Sequence, residues 1–474
     1  MTIRNEKCQQ LISKGYGYCE KVHWNVPSSF CQLICRGKPK NLFGENARKA
    51  RLERLLAKPV PKSIKDSEIV TIIIPVVEGD KQYLKRTIKS VKENAVGPIE
   101  IIVVADGWQG SNGELSYPVR IGMRKAINIA AEKAKGKYLV KLDGHCAMTK
   151  GWDVRLKAAC EKNTIAVPTI DRLNEGTWQG EGSDMSFNTF DGSLRVPYIH
   201  PYKLIEECPL EIDTIAMIAC CWMMEKDYYF ELGGCDEELG VWGELGAEWS
   251  LKAWFTGGRL ILRTDVICSH LFRLKTPFVV DVIRRRNALR KLCRQWLLGK
   301  DKRRTRTPGW MIEKFAYMNN RDINLFGLGG RGYSIRNKDW NFLKSFVQKN
   351  NLKNILEFGA GKSTLMFDNL GCNVISYDTI PLHAKTVQAL ATKNVQVRQW
   401  DNKQISGKFD LLFIDGPAGG ANREQSYKIG SEANVKYIAC HDAQREWELK
   451  WIDKYLSGRK CILSMDDNVI KVFE

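Results

Sequence analysis

Residues 138–152 read Tyr-Leu-Val-Lys-Leu-Asp-Gly-His-Cys-Ala-Met-Thr-Lys-Gly-Trp. The run Tyr138 to Leu142 has the character of a central strand, and it stops on Asp143-Gly144-His145. A carboxylate and an imidazole two residues apart therefore project from a strand tip, a place suited to a divalent cation. One hard oxygen and one borderline nitrogen suit manganese, or magnesium in its place, better than calcium. A metal there could bridge the oxygens of a departing diphosphate, whose growing charge water stabilises poorly. Taken alone, the tripeptide also reads as a turn after a strand.

Two downstream stretches favour the metal: Trp242-Gly-Glu-Leu-Gly-Ala-Glu-Trp249, which continues to Gly258, and Cys268-Ser-His-Leu-Phe-Arg273. With Asp143-Gly-His145, these resemble the GT-A nucleotide-sugar glycosyltransferases. The likeness is closest to the polypeptide N-acetylgalactosaminyltransferases and to bacterial and phage family 2 glycosyltransferases, and it covers roughly residues 69–275. It implies a UDP-sugar donor and a metal held by Asp143, His145 and His270.

Upstream, Ile69 to Pro75 reads as a strand covered on both faces, Gln82 to Asn94 as a helix and Ile99 to Asp106 as a second buried strand. This β-α-β order sets Asp106 at a strand's carboxyl end, where open α/β sheets bind nucleotides. The resemblance adds Pro75 and Glu78 to Asp106 as nucleotide contacts, and sets Arg124 toward the diphosphate; a solvated helix arginine is the competing reading. Trp152 reads as core, and Thr214 to Met224 as a further buried strand. Residues 171–203, with Phe187, Phe190 and Tyr198, read either as an acceptor-site loop or as a surface loop pinned by its aromatics.

The resemblance fails at one position. Aligned on Trp242-Gly243 and Glu248, the carboxylate that inverting relatives use as a base falls on Gly246, which cannot act as one. Glu244 and Glu248 are the remaining candidate bases. Without them, a retaining reaction, in which the departing phosphate helps remove the acceptor proton, needs no base.

In the last part of the chain, Asn354-Ile-Leu-Glu-Phe-Gly-Ala-Gly-Lys-Ser-Thr364 runs from a strand through a glycine-rich turn into a helix. It is not a phosphate-binding P-loop, because Leu356 stands where the first glycine belongs. With Val374 to Asp378, Phe409 to Pro417 and Tyr437 to Asp442, it resembles a class I methyltransferase domain. That likeness implies S-adenosylmethionine contacts from Glu357, Gly359, Gly361, Asp378 and Asp415, with His441 and Asp442 near the methyl group. A scaffold without activity is the alternative.

The formal net charge of +19 is unevenly placed. Residues 1–65 carry 14 basic and 4 acidic side chains, residues 275–314 carry 13 and 3, and the remainder is near neutral. Arg286, Arg290 and Arg294 form a stripe on an amphipathic helix expected over Asp281 to Leu298, and Lys300 to Arg306 reads as a charged linker. Such fields suit a polyanion, with nucleic acid ahead of an acidic membrane because no apolar anchor is evident. The first segment also holds Cys8, Cys19, His23, Cys31 and Cys35, which could supply a structural zinc site or be small buried hydrophobes. No signal peptide or membrane span is evident, and 15 scattered cysteines suggest reduced thiols in the cytoplasm of a bacterium or phage-infected cell.

The expected class is α/β: a basic segment with cysteines (1–68), a GT-A domain (69–275), a basic helical linker (276–336) and a methyltransferase-like Rossmann domain (337–474). The expected activity is metal-dependent transfer from a UDP-sugar to a hydroxyl, with a hydroxymethylpyrimidine of phage DNA as first acceptor and protein or surface glycan as second. A nucleic-acid-binding protein with inactive enzyme-like domains is the reading from another class.

Overall fold

The computed structural model describes residues 16–19, 24–27, 67–110, 115–182, 188–197, 209–273, 276–315, 325–328, 335–400, 405–417 and 423–474. Strands β1 (Tyr16–Cys19) and β2 (Trp24–Pro27) form an antiparallel pair. Of the zinc reading, Cys8, His23, Cys31 and Cys35, together with the side chain of Cys19, lie outside the described residues.

The central sheet is built from β3 (Val70–Val77), β4 (Ile99–Asp106), β5 (Leu115–Tyr117), β6 (Tyr138–Leu142), β7 (Cys146–Met148), β8 (Thr164–Arg172), β9 (Glu211–Asp213), β10 (Cys221–Glu225) and β11 (Arg259–His270). Its order is β5-β4-β3-β6-β10-β8-β11-β7, with β9 on β11. The first four strands are parallel, as right-handed crossovers through helices Lys81–Asn94 and Met123–Lys133 require. Covered on both faces, β3 and β6 are buried almost throughout, which is why their sequences run apolar instead of alternating. Thr214 to Cys220 is not part of β10. Its backbone instead serves neighbouring side chains: Ser250 Oγ accepts from Met217 N at 3.1 Å, and Lys141 donates to Ala219 O at 2.7 Å.

The second sheet holds β12 (Asn354–Phe358), β13 (Asn373–Asp378), β14 (Val395–Gln399), β15 (Phe409–Ile414), β16 (Val435–His441), β17 (Cys461–Ser464) and β18 (Ile470–Phe473). Its order is β14-β13-β12-β15-β16-β18-β17, parallel except for β18, which runs against both neighbours. The chain reverses direction of travel between β12 and β15, so the crevice at their carboxyl ends is the ligand position of a doubly wound sheet.

The stretch between the sheets is not a solvated linker. Arg303 donates to Leu232 O, Arg304 to Leu297 O, and Arg306 to the carbonyls of Trp254, Gly257 and Gly258. Arg306 thereby satisfies carbonyls at the end of helix Leu245–Phe255, where a cation also suits the helix dipole. Helix Pro308–Lys314 then packs against helix Lys362–Asn369 so closely that a side chain at Gly309 would meet Leu365 O at 2.0 Å. The guanidinium groups of Arg303, Arg304 and Arg306 are therefore bonded within the protein, while Lys300 and Lys302 are exposed. Among the described residues, no helix is long and apolar enough to cross a membrane, and the ten described cysteines are free thiols.

Candidate metal and nucleotide site

The antiparallel pairing of β7 with β11 closes the sequence gap between the candidate ligands. His270 is the register partner of Cys146, and Leu271 N donates to His145 O at 3.1 Å. Thr87 in helix Lys81–Asn94 pins the turn by donating to Gly144 O at 2.9 Å and accepting from Cys146 N at 3.1 Å. Glycine suits the position between Asp143 and His145, because a Cβ there would sit 2.9 Å from a methyl of Val76 in β3 and force it to shift.

Asp143, His145 and His270 thus converge, with ligand atoms all within 4.8 Å of one another. His145 Nε2 lies 3.1 Å from His270 Nε2, which lies 3.2 Å from Asp143 Oδ2. Donors held at about 2.1 Å by one octahedral cation stand about 3 Å apart, so these separations fit three adjacent ligands with open positions beyond. Two imidazole nitrogens facing each other cannot both carry protons, so at least one directs a lone pair into the cluster. Burial works to raise the Asp143 pKa, but the Lys141 ammonium and the two imidazoles outweigh it and hold the carboxyl far below the usual range. The residues fit a divalent cation.

Asp80 completes the arrangement, and the sequence reading missed it. Its carboxylate takes a two-pronged ion pair from Arg273 and lies 3.4 Å from His145 Nδ1. A carboxylate behind a ligating imidazole fixes its orientation and raises its basicity. Asp80→Asn is expected to weaken Mn2+ binding 10- to 100-fold, with turnover recovering at saturating metal, as a titration of activity against Mn2+ would show. Turnover that stays low at saturating Mn2+ would assign Asp80 a different role.

Around this cluster lies a cleft of about 270 Å³ whose lining includes Pro75, Asp106, Arg120, Trp242, Arg273 and Phe278. Asp106 accepts from Ile121 N at 2.6 Å and Gly122 N at 3.2 Å, so it also holds the loop that opens helix Met123–Lys133. Arg120 lies over the Phe278 ring at 4.6 Å and Trp242 packs against the same ring at 5.3 Å, making an aromatic wall beside the cations. Glu78 is exposed and does not line the cleft.

Three further expectations are corrected. Arg124 does not face the diphosphate: its Nε donates to Glu248 at 2.8 Å and its other nitrogens to Gly240 O and Gly243 O, all in the interior. Glu248 is fully buried between Arg124 and Lys252 and also accepts from Asp236 N at 2.6 Å, so it is a structural counter-ion with no path to an acceptor. Glu244 is tied up in an ion pair with Arg285, whose Nε donates to it at 2.7 Å, and it lines a neighbouring cleft instead of the metal cleft. Gly246 is obligatory: a Cβ there would stand 2.1 Å from Met217 O. In the loop after β8, Trp178 is clamped between Tyr83 and Arg86, and Phe190 is core; Phe187 and Tyr198 lie outside the described residues.

The comparisons with known proteins bear on this segment. Residues 118–233 match the family Glycosyl transferase family 2. That span includes Asp143 and His145. Human polypeptide N-acetylgalactosaminyltransferase 13 is 27% identical over 232 residues, covering 46% of this chain and 39% of that protein. Rat N-acetylgalactosaminyltransferase 7 is 33% identical over 181 residues, covering 35% and 28%. The chain therefore spans well under half the length of these relatives. A crystal structure of GalNAc-T7 with UDP, GalNAc and Mn2+ covers 69% of this chain and 63% of its own, at 20% identity and a TM-score of 0.44, a likeness too low to argue from.

The crevice of the second sheet is of a different kind. Gly359 adopts φ +101° and lies so near Asp415 and Gly416 that a Cβ would meet their backbone at 2.9 Å. Gly361 starts helix Lys362–Asn369 with open space where a Cβ would project. Asp378 is occupied within its own turn, accepting from Ile380 N at 2.7 Å and facing His383 Nδ1 at 3.1 Å. His441 contacts Asp415 at 2.7 Å through Nδ1 and Asp339 at 3.3 Å through Nε2. Burial opposes its charge, but Asp415, Asp339 and Asp442 raise its pKa to about 10. Asp415, His441 and Asp442 lie near enough to hold a metal, yet both ring nitrogens face carboxylates, and Arg423 stands 3.6 Å from Asp415 and 3.5 Å from Asp442. This is an ion-pair network, and the protonated His441 is no general base.

Glu357 is fully buried and accepts from Ser363, Thr364 and Ser376. Burial outweighs those donors and raises its pKa from 4.5 to about 7. A carboxyl raised on folding stabilises while protonated, so stability is expected to fall as pH rises from 4.5 through 7. Glu357→Gln should flatten that limb in denaturant titrations across pH; an unchanged slope would place Glu357 as an ordinary carboxylate.

Proposed function

We propose that the central domain is a metal-dependent glycosyltransferase that moves a sugar from a UDP-sugar to a hydroxyl. The convergence of Asp143, His145 and His270 in one cleft carries this reading. When bound, a divalent cation there neutralises charge developing on the departing diphosphate. Arg273, paired with Asp80, and Arg120, 3.7 Å from Asp106, line the same cleft and can turn donors toward a diphosphate, while Pro75 in β3 and Asp106 at the end of β4 stand ready for the nucleoside. The bond from the anomeric carbon to the phosphate oxygen breaks as the acceptor oxygen bonds to that carbon. With Glu248 buried, Glu244 paired and Gly246 unable to serve, the acceptor proton passes to the departing phosphate, which favours a retaining outcome.

The relatives favour a protein hydroxyl as acceptor over a base in DNA. The second domain, with strand order matching a doubly wound sheet and a glycine turn at its switch point, supports a nucleoside cofactor such as S-adenosylmethionine. Hydrolysis of UDP-sugars, read by mass spectrometry, is expected to stop on chelation and return with Mn2+. Metal-independent hydrolysis would count against the central reading, and a calorimetric titration with S-adenosylmethionine that shows no binding would count against the second.

A further inference from the structure

Beside the metal cleft lies a second cleft of about 600 Å³. Leu194 and Arg195 form one side, and Arg285, Arg286, Leu289 and Arg290 of helix Val282–Leu292 form the other. The stretch Trp242-Gly243-Glu244 joins the two clefts. Trp242 lines the metal cleft and Glu244 lines the second. Arg285 braces this stretch, bonded to Glu244 and lying 5.3 Å from the Trp242 ring.

The charge in the second cleft does not balance. Arg285 is neutralised by Glu244. Arg195 and Arg286 are exposed and have no ion pair with a described residue, and Arg290 reaches only the Asn287 amide at 3.3 Å. Five arginines elsewhere in this domain are matched: Arg124 with Glu248, Arg155 and Arg263 with Asp265, Arg259 with Asp213, and Arg273 with Asp80; Arg86, Arg284 and Arg294 have no ion pair with a described residue, but they do not line this cleft. Three unmatched guanidinium groups around one concavity repel each other, and bound carboxylates would relieve that repulsion with bidentate geometry.

We propose that this cleft is the acceptor subsite for an acidic polypeptide segment. A serine or threonine hydroxyl reaches past Trp242 to the sugar donor, while flanking Asp or Glu side chains sit on Arg195, Arg286 and Arg290. The proposal rests on the transferase reading above. Leu194 and Leu289 stand among the arginines, a mixed lining that suits peptide side chains better than a row of phosphates. Arg303, Arg304 and Arg306 are bonded to backbone carbonyls and do not add free guanidinium groups to the cleft. In transfer, the sugar–phosphate bond breaks, the sugar–oxygen bond forms and the hydroxyl proton leaves with UDP.

The test uses the full chain with Mn2+, the UDP-sugar it hydrolyses, and peptides that share one Ser/Thr core flanked by Glu, Gln or Lys. The Glu-flanked peptide is expected to show a KM at least tenfold below the Gln-flanked one, with the advantage shrinking as salt rises. In the double variant Arg286→Glu, Arg290→Glu, with folding checked by circular dichroism, the preference should invert toward Lys-flanked peptides. Equal KM values for Glu and Gln flanks, or a preference that survives charge reversal, would overturn the proposal. Transfer to duplex DNA with no preference for acidic peptides would overturn it in favour of a nucleic-acid acceptor. Donor hydrolysis without acceptor reports on the transferase reading separately, so the two can fail independently.

Discussion

Asp143→Asn and His270→Ala are each expected to lower Mn2+-dependent turnover of the sugar donor by roughly a thousandfold, about 4 kcal/mol of barrier. The size follows from the geometry. Asp143 is the only carboxylate among the three ligands, and Lys141 occupies its other oxygen, so an amide there leaves neutral donors and an adjacent ammonium facing the cation. His270 bridges the other two, lying 3.1 Å from one and 3.2 Å from the other. Its loss opens the cluster. Initial rates across a Mn2+ series are the check: rates within tenfold of the parent protein at every metal concentration would remove the metal from the mechanism.

The second large effect is on stability. Glu248→Gln is expected to cost about 3–5 kcal/mol, because it leaves Arg124 and Lys252 buried without their shared counter-ion. Burial acts to raise the Glu248 pKa, but Lys252 and Arg124 outweigh it and hold the carboxyl below its ordinary 4.5. A carboxyl depressed on folding stabilises above the unfolded value and loses that contribution as pH falls through the folded one. The variant should therefore unfold at lower denaturant concentration near neutrality, and the gap to the parent should close in acid. Below its melting temperature, its turnover should stay near the parent's. A folded Glu248→Gln protein with a collapsed turnover number would instead make Glu248 part of the chemistry.

The two residues of that pair show where sequence reasoning stopped. Arg124 and Glu248 sit 124 positions apart on different helices, and each alone looks like a helix-surface or active-site charge. Only the fold, which brings Glu248 of helix Leu245–Phe255 to Arg124 of helix Met123–Lys133, reveals that they neutralise each other. Asp80 was invisible for the same reason: its partner Arg273 lies 193 residues away, and nothing in Glu78-Gly79-Asp80 marks the second carboxylate over the first. Arg303, Arg304 and Arg306 read as free charge because their acceptors are carbonyls, which sequence does not distinguish.

What the sequence does carry is local. A strand stopping on Asp-Gly-His, the His of Ser269-His270-Leu271, and a strand running into Gly359-Ala-Gly361 depend on spacing within a few residues, and the structure places each at a strand end. Thr214 to Cys220 is apolar enough for a strand, yet its backbone is bonded to Ser250 and Lys141 and leaves the ladder. Long-range hydrogen bonds decided that segment, and periodicity does not record them.

The central claim is that one cation is shared by Asp143, His145 and His270. The most direct measurement is an anomalous difference map from crystals grown with UDP and Mn2+. A single strong peak is expected within bonding distance of Asp143 Oδ2, His145 Nε2 and His270 Nε2, with diphosphate oxygens completing its shell. A peak on Asp415, His441 and Asp442 instead, or density for UDP with no metal among the three ligands, would contradict it.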